Sequence, residues 1–173
     1  MRWNGVLGSP MASDESLQML DDGLVCSEVG GWTEEKHRLV SLYSTLFSSG
    51  MKDKWGKRIY IELYAGPGQS KIRDTSRIIA GSPIHALSVK DPFDKYIFCE
   101  ENPEYLEALK TRVKRIAPAR NVVYLLGDCN KRAHDILAEI PAGSSSDTVL
   151  SLCFADPFDI SLKFETLRTL SDR

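Results

Sequence analysis

From residue 58 onward, short apolar runs rich in β-forming residues alternate with stretches of helical period, and this alternation constrains the fold more than any other feature of the chain. The runs are "RIYIELY" at 58–64, "KYIFCEEN" at 95–102, "NVVYLLGD" at 121–128 and "TVLSLCFADPF" at 148–158. Between the second and third, Asn102-Pro103-Glu104 opens a helix that carries Leu106, Leu109, Val113 and Ile116 on one face. Between the third and fourth, "KRAHDILAEI" places Ala133, Ile136, Leu137 and Ile140 inward, and "SLKFETLRTL" starts a last helix. Strands separated by helices require crossover connections, so the chain reads as α/β with a parallel sheet. The near-continuous apolar character of the runs fits strands covered on both faces.

Ahead of the first run, Leu39, Val40, Tyr43, Leu46, Phe47 and Met51 recur at helical spacing. Thr33 as N-cap and Glu34 and Glu35 in the first turn start that helix, which is predicted over about 33–50. "KIRDTSRIIAGSP" shows no helical period and reads as a loop or small hairpin, followed by a short helix from Ser82 with Pro83 in its first turn. Residues 1–31, rich in Gly, Ser and Asp, read as a flexible lead, and residues 32–173 as the domain. The chain stops at Arg173 in or just after a helix, which leaves the fourth strand as an edge and suggests a fragment holding about four strands of a larger sheet.

The 173 residues suffice for one domain with a core, and a net charge of -2 gives no global pull toward nucleic acid or an anionic membrane. Cys26, Cys99, Cys129 and Cys153 form no C-x-x-C pair, so their spacing does not point to zinc or to a redox motif. Three of them sit in or beside apolar runs as small core residues, a usage that fits a reducing cytoplasm. No apolar run approaches membrane-spanning length. His37, His85 and His134 show no grouped ligand pattern and read as surface or helix residues.

Each of the four strands ends in residues able to bind a ligand. In "ELYAGPGQS", Gly66 and Gly68 let backbone approach a ligand where side chains would block it, and Glu62 closes the strand with a carboxylate. Glu100, at the end of the second strand, is placed to hold the hydroxyls of a ribose. Asp128 could accept from an adenine amino group, although taken alone it reads as an Asx turn or N-cap. Asp156 and Phe158 could hold a target amine, with the carboxylate accepting N–H and the ring packing on a flat base or a cation. Open α/β sheets bind ligands at this strand end, and four coincident polar ends favour a cofactor site over four separate turns. A dinucleotide site calls for G-x-G-x-x-G, and "AGPGQS" lacks the third glycine, so S-adenosylmethionine is the better adenosine-bearing ligand.

"ELYAGPG" resembles the D-x-F-x-G-x-G first motif of S-adenosylmethionine-dependent methyltransferases, and "ADPF" resembles the D-P-P-[YF] motif of those that methylate exocyclic amines. More closely, "EVGGWTEEKHRLVSLYSTLF", "YIELYAGPGQSKIRDTSRIIAGSPIHAL", "YIFCEENPEYLEAL", "GDCN" and "FADPF" together resemble the three-Cys-motif partner protein family, in order from about Asp21 to the end. The resemblance implies the first half of a Rossmann-like methyltransferase-type sheet with flanking helices. It also implies S-adenosylmethionine as cofactor and a separate three-cysteine protein related to radical S-adenosylmethionine enzymes as partner, while the family's reaction is poorly defined; methyl transfer to an amino nitrogen, with nucleic acid as one candidate substrate, is the first hypothesis. Carried across, Glu62, Tyr64, Ala65, Gly66, Gly68, Glu100 and Asp128 would bind the cofactor, while Asp156, Pro157 and Phe158 would form the catalytic motif. Glu62 stands where Asp is commoner, and the fourth motif has one proline rather than two, which sets amine methylation against a docking role without turnover.

Overall fold

The computed structural model describes residues 19–171. In chain order its elements are β1 (Ser27–Val29), α1 (Trp32–Met51), β2 (Lys57–Glu62), β3 (Gln69–Ile72), β4 (Ile78–Ala80), α2 (Ser82–Leu87), β5 (Lys95–Glu100), α3 (Pro103–Ile116), β6 (Val122–Leu126), α4 (Cys129–Glu139), β7 (Val149–Phe154) and α5 (Phe164–Ser171). The four long apolar runs form one all-parallel sheet in the order β6-β5-β2-β7, an α/β arrangement compatible with a Rossmann-like fold. β6 and β7 are the edge strands of that sheet among the described residues.

Side chains alternate across the sheet with the strand period of two. Ile59, Ile61, Ile97 and Cys99 meet Ile136 of α4 on one face. Tyr60, Tyr96 and Phe98 meet Leu87, Leu109 and Val113 of α2 and α3 on the other. Tyr60 is the hub of an aromatic cluster, its ring centroid 5.3 Å from Phe93 and 6.1 Å from Tyr96. Helix starts follow capping chemistry: the Asn102 side chain accepts from the backbone N–H of Glu104 and Tyr105, and Asp128 accepts from that of Asn130.

Of residues 71–83, read as loop or hairpin, 71–80 complete the antiparallel pair β3–β4 while Ser82 and Pro83 open α2, and β1 adds to β3 in parallel to make a small second sheet. Of the lead expected over 1–31, residues 1–18 lie outside the described residues. Residues 22–29 are bound to the domain through β1 and through Asp22, which pairs with Arg112 of α3.

Three local expectations are corrected. Thr33 is not the N-cap of α1: Gly31 holds that position, and Thr33 is buried within the helix. On α1, Leu39, Tyr43 and Leu46 are exposed, Phe47 packs against the core, and Thr33, His37, Ser44 and Ser48 are buried. Small polar side chains let the helix approach closely and meet waiting partners: His37 Nδ1 lies 2.9 Å from the Ala80 carbonyl, and the Arg58 guanidinium donates to Ser48 O at 2.7 Å. Ile116 lies in the last turn of α3 and is exposed, unlike Leu106, Leu109 and Val113. Cys153 is exposed on the edge strand, whereas Cys99 and Cys129 join the core. Among the described residues, no helix is long and apolar enough to cross a membrane.

Candidate functional site

The C-terminal ends of β2, β5, β6 and β7 converge on a cavity of about 490 Å³. Sequence-predicted residues Tyr64, Ala65, Gly66, Gly68, Glu100, Asp128, Asp156 and Phe158 all line it. Glu62 and Pro157 are not in its lining.

The loop after β2 is held by backbone bonds on both sides. Leu63 N–H donates to Phe154 O at 3.1 Å and Ala65 N–H to Cys99 O at 3.0 Å, which anchors the loop to the two neighbouring strands. Gly66 and Gly68 then adopt left-handed conformations, with φ of +63° and +83°. The two glycines differ in what surrounds them. A Cβ on Gly68 would stand 2.9 Å from Leu109 Cδ1, whereas a Cβ on Gly66 would meet nothing within 4 Å. The first glycine therefore leaves room beside a cavity-lining backbone, and the second lets α3 pack against the loop.

Glu100 is built into the same loop. Its Oε2 accepts from Gly66 N–H at 2.7 Å and its Oε1 from Asn102 N–H at 2.8 Å, which fixes the carboxylate at the cavity while each oxygen keeps a further lone pair. Asp128 Oδ1 accepts from the backbone and side-chain N–H of Asn130, so this residue is the N-cap of α4 as well as part of the cavity wall. Asn130 also ties the β7 side of the cavity down: its Nδ2 donates to Ser161 O at 3.1 Å, and its Oδ1 accepts from Lys163 N–H at 2.9 Å.

Glu62 is placed behind the wall. It is fully buried, with Oε1 accepting from Ser82 Oγ at 2.5 Å and Oε2 from Tyr60 OH at 3.1 Å. Burial pushes its carboxyl up to about 8 against the pull of the two hydroxyl donors. Its link to the cavity runs through Ser82, which is in the lining.

Two functional candidates escape sequence reasoning. Lys36, in the second turn of α1, donates to Asp156 Oδ2 at 2.5 Å, so the carboxylate expected to face an acceptor amine already holds an ammonium. His37 lines the cavity from the next position and is only 7% exposed. Burial pushes its imidazole down to about 4, helped by His85, whose ring centroid is 5.8 Å away, so the ring is neutral at pH 7. A lysine and a histidine in a helix preceding the first long strand carry no site signal in sequence, because only the docking of α1 on β4 and α2 brings them here. Phe158 is 90% exposed at the rim, where its ring is open to a ligand.

Five carboxylates line the cavity, Glu100, Glu101, Asp128, Asp156 and Asp159, against two lysines, Lys36 and Lys163. A concave site with this balance attracts cations and small groups rich in donors. No family model, curated protein or solved structure matches the chain.

Proposed function

We propose that the chain is a methyltransferase-like domain of the three-Cys-motif partner type, which binds S-adenosylmethionine at the β2 loop and transfers methyl to an amino nitrogen. The observation that carries this reading is the convergence on one cavity of Gly66, Glu100, Asp128 and Asp156, one from the end of each parallel strand, with room at Gly66 and an excess of carboxylate. A parallel sheet offers a nucleotide-type ligand this edge, and a ligand bearing a sulfonium and an ammonium suits the charge.

In this reading Glu100 takes the ribose hydroxyls with the lone pairs left by its two backbone bonds. Asp128, whose Oδ1 is occupied by Asn130 and whose Oδ2 has the exposed Lys131 ammonium 3.9 Å away, would take the adenine amino group at Oδ2. The cofactor supplies a methyl group already activated on sulfur, so the protein's share is chiefly positioning. Asp156 accepts an N–H of the acceptor, with Lys36 holding its other contact, and Phe158 packs on the acceptor's flat face. A nucleobase amine meets these requirements if its phosphates stay clear of the acidic lining. With labelled S-adenosylmethionine and a panel of amine acceptors, Asp156→Ala is expected to cut transfer at least about a hundredfold while leaving cofactor binding intact. Unchanged transfer by this variant would remove Asp156 from the reaction.

A second reading rests on α1. Trp32, Tyr43 and Leu46 are each more than 60% exposed on that helix, an apolar stripe of the kind that meets a protein partner. It favours docking onto a separate three-cysteine protein, either alongside catalysis or in place of it. Tyr43→Arg would weaken co-purification with such a partner without touching the cavity, and undiminished co-purification would count against this surface.

A further inference from the structure

Arg112 of α3 is 2% exposed, yet every N–H of its guanidinium has an acceptor. Nη1 donates to Pro67 O at 2.6 Å and to Val25 O at 2.9 Å. Nε and Nη2 grip the Asp22 carboxylate at 3.0 and 2.7 Å, and Nη2 also reaches Leu24 O at 3.3 Å and Cys26 Sγ at 3.6 Å. One cation thus joins the segment before β1 to the peptide between the two loop glycines. A buried ion pair adds little net stability over apolar packing, whereas a planar guanidinium fork fixes the relative placement of the groups it joins.

The same segment holds the other end of the loop. β1 pairs in parallel with β3, and Ser27 Oγ and Ser70 Oγ share a hydrogen bond of 2.8 Å at the cavity wall. Residues 22–29 therefore run as a strap that grips the loop at Pro67 through Arg112 and just beyond it at Ser70 through β1. Arg112 itself is outside the cavity lining.

We propose that Arg112 is a positioning residue which, with the strap 22–29, sets the backbone of the glycine loop in its ligand-binding form. The proposal rests on the reading of this cavity as a cofactor site, and makes cofactor affinity depend on an ion pair, Arg112 with Asp22, that is not part of the cavity lining. The carbonyl of Pro67 is turned toward α3 by the guanidinium, which fixes the peptide plane between Gly66 and Gly68. Glycines have no side chain to restrain them, so an external tie is what keeps such a loop in one conformation.

The test combines amide hydrogen exchange without ligand and calorimetric titration of S-adenosylmethionine, on the wild type, Arg112→Lys and Asp22→Asn. Lysine keeps the charge and stem but cannot reproduce the fork that spans Pro67, Val25 and Asp22. Exchange at residues 68–70 is expected to rise about tenfold in Arg112→Lys and by a smaller factor in Asp22→Asn, with the amides of β2 and β5 unchanged. The dissociation constant for S-adenosylmethionine should rise in the same order, more in Arg112→Lys than in Asp22→Asn, as the fraction of loop in the binding-competent form falls. Loop exchange that stays at the wild-type level in both variants overturns the proposal. So does a rise shared equally by loop and core strands, which would make Arg112 a part of overall stability only, or a loosened loop with unchanged affinity. A wild type that binds no S-adenosylmethionine while its loop responds to both variants retires the cofactor reading and leaves the clasp standing. If Arg112→Lys fails to fold, Asp22→Asn carries the same test, because it keeps the guanidinium in the fold while weakening the two-point grip that aims it at Pro67.

Discussion

Gly68→Val is expected to destabilise the domain by about 3 kcal/mol, from a left-handed backbone that β-branched residues resist and from overpacking against a helix. The added side chain would begin 2.9 Å from Leu109 Cδ1 and 3.4 Å from Ile84 Cδ1, both in the core between loop and helices. Gly66→Val carries the backbone cost alone, about 1–2 kcal/mol, because nothing lies within 4 Å of its Cβ position. Urea unfolding of the two variants separates them, and the order should reverse for ligand binding by folded protein, where the Gly66 side chain intrudes on cavity space. Equal destabilisation by both substitutions would mean that Leu109 and Ile84 yield freely, and that the second glycine is not there for packing.

The second large effect is on the pH dependence of stability. Glu62 titrates at about 8 when folded against an ordinary 4.5, so between these values the folded state holds the extra proton and stability falls as pH rises. His37 titrates at about 4 against an ordinary 6.5, so over that window the unfolded state holds the extra proton and stability rises with pH. Each contributes a slope of about 1.4 kcal/mol per pH unit, with opposite signs. They cancel between pH 4.5 and 6.5, and Glu62 acts alone from 6.5 to 8. The wild type should therefore show a plateau followed by a decline above pH 6.5. Glu62→Gln should remove the decline and expose a rise from pH 4 to 6.5, read from denaturant midpoints across pH. Parallel profiles for wild type and Glu62→Gln would show that the buried carboxyl is ionised in the folded protein.

The parallel sheet was legible because β2, β5, β6 and β7 are apolar runs bounded by Gly, Asp, Asn and Pro, and because the intervening helices carry caps such as Asn102. The cavity was legible to the same extent: strand ends in one parallel sheet must share an edge, so Gly66, Glu100, Asp128 and Asp156 had to gather. Hidden were the features set by tertiary packing. The helical period of Leu39, Tyr43 and Leu46 marks α1 as a helix but not which face docks, and the face that docks is lined by Thr33, His37, Ser44 and Ser48. Lys36 and His37 reach the cavity only through that docking. Glu62 reads as a strand-end carboxylate, yet it is the last residue of β2 and turns inward to Tyr60 and Ser82. Arg112 looks like one of several basic residues on an amphipathic helix until the strap and Pro67 are seen around it.

Calorimetric titration of S-adenosylmethionine into the protein, beside Gly66→Val and Glu100→Ala, tests the central claim most directly. The account predicts one-site binding to the wild type, loss of binding with valine at Gly66, and a weakening of about tenfold or more when the Glu100 carboxylate is removed. No heat of binding to folded wild type, or wild-type affinity in both variants, would contradict it and leave the glycines and Glu100 as the fastening of a turn.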